Sequence, residues 1–187
     1  GLHFHDVAKL LEVLHELVPA ATVIALLVNP THPSADSQTR SAQEAASAMG
    51  LQIRAVHAST EGEFDTAFAS LAEHKAGGIV ISNEGLFNSR YEQLSVLAAR
   101  YKVPAIHVGR EFVLSGGLMS YGASIADSWR LAAAYAGRIL KGEKPADLPV
   151  VPSTKVEIII NLKSAKKTGL NVPDVLDAVI EKLPPPK

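Results

Sequence analysis

Residues 105–122 read Ala105-Ile106-His107-Val108-Gly109-Arg110-Glu111-Phe112-Val113-Leu114-Ser115-Gly116-Gly117-Leu118-Met119-Ser120-Tyr121-Gly122. The apolar run from Val103 to Val108 stops abruptly at Gly109, Arg110 and Glu111. A Gly116-Gly117 break follows, then a second short apolar run ending in Ser120-Tyr121-Gly122. Two strand-like runs thus finish in polar groups that one edge of a sheet can hold. In an open α/β sheet, ligands bind in the crevice beyond the carboxyl ends of the strands. The stretch reads as a binding-site candidate.

Working outward, helical and strand periodicities alternate. Val7, Leu10, Leu11, Leu14 and Leu17 recur at helical spacing, and Pro19 closes that helix. Val23 to Val28 is a continuous apolar run, the pattern of a strand buried on both faces. Asn29-Pro30-Thr31-His32-Pro33 is a loop. Ser34 caps a helix running to about Met49, with Gly50 as its stop. Leu51 to His57 reads as a strand. Thr60 and Glu63 form a capping pair for a helix reaching about His74. Residues 78–82 make a third strand, Asn83 to Asn88 a loop, Ser89 to Tyr101 a helix, and residues 104–108 a fourth strand.

Such alternation predicts an open, parallel, doubly wound α/β sheet of Rossmann-like form, with helices on both faces. Strand 23–28 belongs between 52–57 and 78–82. The pattern then changes to a helix over 124–140, a Pro-rich link to Thr154, and a late strand from Val156 to Leu162. A short helix near 163–168 and a terminal helix over 173–183 complete the chain.

The 187 residues are enough for one α/β domain with a substantial core, and an apolar share of 47% excludes disorder. Net charge is −1, and the longest basic cluster is Lys166-Lys167, so nucleic acid is not an expected partner. No apolar run approaches the roughly 18 residues a membrane span needs. The lack of cysteine removes disulfides, thiolate metal sites and Cys nucleophiles, and it suits an exported bacterial protein. Gly1-Leu2-His3-Phe4 has neither the charge nor the apolar core of a signal peptide, nor an initiator Met. The expectation is a chain processed or cut from something longer.

Each candidate site residue has a bland reading beside the functional one. Asn29 and Thr31 can reach a ligand from the end of the first strand, or Asn29 can bond its own backbone. Asn83, Glu84 and Phe87 follow the third strand; Phe87 can stack on a ligand ring or staple the next helix. Arg110 can fork onto a ligand carboxylate, or pair with Glu111 or Glu84. Of the seven histidines, only His3 and His5 are closely spaced, and no metal-binding pattern emerges. No G-x-S-x-G elbow or dinucleotide loop is present, so neither a catalytic centre nor a cofactor is expected.

Several segments together carry a resemblance. They are Leu26-Leu27-Val28-Asn29-Pro30-Thr31, Phe87-Asn88-Ser89-Arg90, Gly109-Arg110-Glu111-Phe112, Gly116 to Gly122, Gly137-Arg138-Ile139-Leu140-Lys141-Gly142, Pro145-Ala146-Asp147-Leu148-Pro149 and Ile160-Asn161-Leu162-Lys163. In this order they resemble the substrate-binding proteins of ABC transporters, of the tryptophan/tyrosine type with a periplasmic-binding-protein class I fold. The resemblance implies a non-enzymatic solute-binding component of a bacterial importer. It would be periplasmic or lipid-anchored, would close two lobes on a small organic ligand such as an aromatic amino acid, and would dock on an ABC permease. It also implies that residues 1–122 are the second lobe, that 123–150 cross to the first lobe, and that 151–187 return. Tyr121 then sits at the hinge, walling the cleft or filling space between the lobes.

Two rivals share the sequence features: the ligand-sensing core of a lactose-repressor-type transcription regulator, and an α/β enzyme using Glu84, Glu111 and Arg110. Ile125, Trp129, Ala132, Ala133, Ala136, Ile139 and Leu140 form an apolar stripe on helix 124–140. Left uncovered by a first lobe, that stripe predicts a homodimer through this helix.

Overall fold

Val23–Val28 forms strand β1 because it is apolar throughout and takes a helix layer on each face. Ile24, Leu26 and Val28 point into one core layer and Ala25 and Leu27 into the other. The alternation of side chains along a strand produces this division. Each fully buried Leu or Ile contributes about 1.5–3 kcal/mol of transfer free energy.

The computed structural model describes residues 4–123, 125–148 and 156–170. Within them the order is α1 (Phe4–Leu17), β1, α2 (Ala35–Ala48), β2 (Gln52–His57), a 3-10 turn (Glu61–Glu63), α3 (Phe64–Ala69), β3 (Ile79–Ile81), α4 (Gly85–Asn88), α5 (Tyr91–Arg100), β4 (Ala105–His107), α6 (Arg110–Leu114), β5 (Met119–Ala123), α7 (Ile125–Leu140), a 3-10 turn (Pro145–Asp147), β6 (Val156–Ile160) and α8 (Leu162–Lys167). The expected terminal helix over 173–183 lies outside the described residues, as does the end of the Pro-rich link. Among the described residues, no helix is long and apolar enough to cross a membrane.

The six strands lie in the order β2-β1-β3-β4-β5-β6. The first five run parallel, with β1 between β2 and β3 as the pattern predicts. The late strand departs from the expected parallel sheet: β6 pairs antiparallel with β5, from Met119 opposite Ile160 to Ala123 opposite Val156. Helices α1, α2 and α8 cover one face, and α3 to α6 cover the other.

Three local expectations fail for identifiable reasons. Ser34 does not cap α2; its hydroxyl lies 2.7 Å from His32 Nδ1 and accepts from Gln38 Nε2 at 3.0 Å. The reciprocal capping box at Thr60 is also missing. Glu63 Oε1 instead accepts the Ser59 and Thr60 hydroxyls, the first turn is 3-10, and α3 ends at Ala69 rather than near His74. Asn83 to Asn88 is not all loop. Glu84 accepts the Phe87 N–H and so caps the helical turn α4, and α5 starts only at Tyr91.

Helix α7 carries the apolar stripe its spacing predicts, and the described side chains of that stripe are exposed. Trp129 is 73% exposed and Leu140 88%, and Ile139 and the alanines at 132, 133 and 136 are exposed with them.

Candidate functional site

Because β1, β3, β4 and β5 are parallel, the segments that follow them emerge at one sheet edge. Asn29 follows β1, Asn83 and Glu84 follow β3, and Arg110 and Glu111 follow β4.

At the β1–β3 end, Asn29 Nδ2 donates to Glu84 Oε2 at 3.2 Å. Asn29 Oδ1 accepts the Thr31 hydroxyl at 2.7 Å and the Thr31 N–H at 3.1 Å. Glu84, which is buried, accepts the Phe87 N–H on its other oxygen at 2.8 Å. Both carboxylate oxygens are thereby engaged.

At the end of β4, His107 is wholly buried. Its ring meets Tyr91 edge-on at 5.0 Å and lies 6.1 Å from Phe112. Nδ1 accepts the Gly109 N–H at 2.8 Å, so the ring proton belongs on Nε2. Among the described residues, Nε2 and the Ser82 hydroxyl, both buried, have no partner within hydrogen-bond geometry. Burial lowers the His107 pKa to about 4, with the Ser82 backbone opposing weakly, so the ring is neutral near pH 7.

Gly109 has polar groups crowded around it. A β-carbon there would lie 2.6 Å from Tyr91 Oη, 3.2 Å from His107 Nδ1 and 3.3 Å from Glu111 Oε2. Burial, and secondarily the Glu111 charge, raises the Tyr91 pKa to about 12. On the other side of the turn, Arg110 Nη1 donates to Glu157 Oε1 at 3.3 Å, with the two side chains only 21% and 16% exposed. Glu157 lies on β6 opposite Gly122, where an added β-carbon would meet the Val108 carbonyl oxygen at 2.5 Å.

The structure therefore brings Asn29, Thr31 and Glu84 together and seats Glu111 beside Tyr91. Asn83 accepts from Asn88 Nδ2 at 2.8 Å. Phe87 is not a ring exposed at the edge: it is wholly buried, 5.8 Å from Phe64, because the Glu84 cap turns it into the core. Arg110 pairs with Glu157 rather than with Glu111 or Glu84. Tyr121 is half-buried against the layer formed by α1 and α2. His107, Tyr91, Ser82 and Glu157 were not singled out from the sequence. A histidine near the end of an apolar run was the one available signal. Among the described residues, no three His, Asp or Glu side chains gather as metal ligands would.

The family model described as "ABC transporter substrate binding protein" matches residues 3–182. The chain belongs to this family. No curated protein matches it. Among solved structures, this ABC substrate-binding chain is similar to a ligand-free, open substrate-binding protein with adhesive properties from Clostridium difficile. Identity is 26% and the TM-score 0.77, covering 95% of this chain and 60% of that one. A conserved domain protein from Vibrio cholerae is 23% identical, with TM-score 0.73, covering 94% and 59%. An ABC domain in complex with L-Trp from Streptococcus pneumonia is 20% identical, with TM-score 0.71, covering 95% and 61%. The substrate-binding chain thus spans about three-fifths of the length of the structures it matches. The last two likenesses speak to the fold, which is that of one lobe of a periplasmic-binding-protein class I protein.

Proposed function

We propose that this chain supplies the second lobe of a solute-binding protein serving a bacterial ABC importer. The protein would be non-catalytic and periplasmic or lipid-anchored outside the cell, and it would deliver a small organic ligand to a permease. The observation that carries this reading is the convergence of Asn29, Glu84, Tyr91, Glu111 and Arg110 at one carboxyl edge of a parallel sheet, in a chain of this family. In such a sheet that edge is where ligands sit.

On this reading residues 1–122 are the body of the lobe, 123–150 cross to the partner lobe, and 151–187 return. The exposed stripe on α7 is the surface the partner lobe covers. Without that lobe, a second copy of the chain is the natural cover, giving a dimer through α7. Closure follows because a ligand touching both lobes favours the closed state.

The L-Trp held by the Streptococcus relative makes aromatic amino acids the first solutes to test. Calorimetric titration of the intact protein with amino acids and sugars checks the reading. Saturable binding of any one of them at micromolar to millimolar concentration supports it, and no heat from any of them refutes it.

A further inference from the structure

His107 is a costly residue in its position. It ends β4 inside an apolar run and is wholly buried. Its Nε2 has no partner within hydrogen-bond geometry among the described residues. A buried polar atom in that condition lowers stability, and an apolar side chain filling the same space would avoid the loss.

What the imidazole supplies is its other nitrogen. Nδ1 accepts the Gly109 N–H at 2.8 Å, which no apolar side chain could do. Burial keeps the ring neutral near pH 7, so the Nδ1 lone pair is available for that bond. The bond shapes the turn out of β4, because Gly109 is the residue that opens α6. Arg110 and Glu111 follow it directly. The acceptor itself is well placed: the His107 ring clusters with Tyr91 and Phe112, at 5.0 Å and 6.1 Å. Gly109 has no side chain by which the fold could hold it, so its backbone N–H is the available handle.

We propose that His107 is a positioning residue of the solute-binding edge: through Nδ1 it fixes Gly109, and through Gly109 it sets Arg110 and Glu111, without touching the solute. This inference rests on the solute-binding reading above and deepens it. The turn has a held form, in which the Gly109 N–H is bonded, and released forms, in which it is not. Solute binds the held form, so affinity scales with the fraction of molecules that adopt it. Loss of one such hydrogen bond lowers that fraction by up to about tenfold.

The test uses two substitutions that a space-filling role and a positioning role rank in opposite orders. His107→Phe keeps the bulk of the ring and its aromatic neighbours but offers no acceptor. His107→Asn loses bulk but carries an amide oxygen as many bonds from the backbone as Nδ1. Calorimetric titration of the intact protein at pH 7 with L-tryptophan, the other amino acids and sugars such as D-allose measures affinity, and thermal unfolding ranks stability. A solute bound by the wild type should bind His107→Phe about three- to tenfold more weakly, and His107→Asn within about twofold of the wild type. His107→Asn should nevertheless be the less stable variant. Nitrogen-15 NMR of the wild-type imidazole should show a protonated Nε2 and a bare Nδ1, a measurement that needs no variant to fold. His107→Asn binding no more tightly than His107→Phe, or a ring proton found on Nδ1, overturns the positioning role while sparing the solute-binding reading. No heat from any solute with the wild-type protein overturns both.

Discussion

Asn29 and Glu84, 55 positions apart, are joined by a hydrogen bond of 3.2 Å between the ends of β1 and β3. The same glutamate caps α4 through the Phe87 N–H, so a single side chain ties a long-range contact to a local one. Glu84→Ala removes both, and the lost cap and side-chain bond should together cost about 2–3 kcal/mol. Asn29→Ala, which spares the cap, should cost about 1 kcal/mol. Urea denaturation of each variant measures the difference. Equal costs for the two substitutions would contradict the double role of Glu84.

His107 makes stability depend on mild acidity. Its folded pKa of about 4 lies below the ordinary value of 6.5. Between those values the unfolded chain binds a proton that the folded chain refuses, so stability is lost as pH falls from 6.5 toward 4. The 1.36 kcal/mol per pKa unit sets an upper bound of about 3 kcal/mol. His107→Phe removes this slope, whatever it does to stability at pH 7. Chemical denaturation between pH 7 and pH 4 should therefore show a shallower fall for the variant than for the wild type. Parallel curves would assign the acid sensitivity elsewhere.

Gly109 and Gly122 predict unequal responses to the same small change. A β-carbon on Gly122 meets the Val108 carbonyl at 2.5 Å, and backbone cannot step aside. Gly122→Ala should cost about 1–3 kcal/mol. At Gly109 the nearest atom is the Tyr91 hydroxyl, the far end of a side chain. Gly109→Ala should cost less and instead push the ring outward, bringing the Tyr91 pKa from about 12 back toward 10.0. Ultraviolet titration of tyrosinate absorbance follows that shift, and thermal unfolding ranks the two variants.

The uncovered face of α7 predicts concentration-dependent behaviour for the 187-residue chain. Trp129 is the chain's single tryptophan and is 73% exposed, so its emission reports on whatever covers the helix. Sedimentation at micromolar concentration should show a dimer, with Trp129 emission shifting to the blue as association proceeds. Trp129→Ser should weaken association by tenfold or more, in line with the loss of about 2 kcal/mol of apolar burial. A monomer at all concentrations with invariant emission would discard the dimer.

The central sheet was legible because burial on both faces leaves uninterrupted apolar runs, as in Val23–Val28. The place of β1 between β2 and β3 followed from alternation with helices. The direction of β6 was not legible, since Val156–Ile160 is apolar enough to run either way and only its partner decides. The capping errors share one cause: Ser34, Thr60 and Glu63 bond to side chains within four residues of them instead of to the free backbone N–H groups of the helix. Asn29, Glu84 and Glu111 stood out as polar residues just beyond strands. Tyr91 and Glu157 did not, because each reaches the edge from an element remote in sequence. Phe87 misled because an aromatic residue in a loop looks the same whether it faces a ligand or the core.

The pairing of β5 with β6 has a consequence for engineering. Ala123 and Val156 face each other across the two strands, so the chain leaves and re-enters the sheet at adjacent points. Antiparallel neighbours about 5 Å apart are within reach of a two-residue turn. An Asn-Gly hairpin substituted for residues 124–155 would therefore excise the whole excursion, α7 included, without altering the register of any strand. What remains would be a miniature of the fold: a closed-up sheet free of the sticky helix, with the carboxyl edge unchanged.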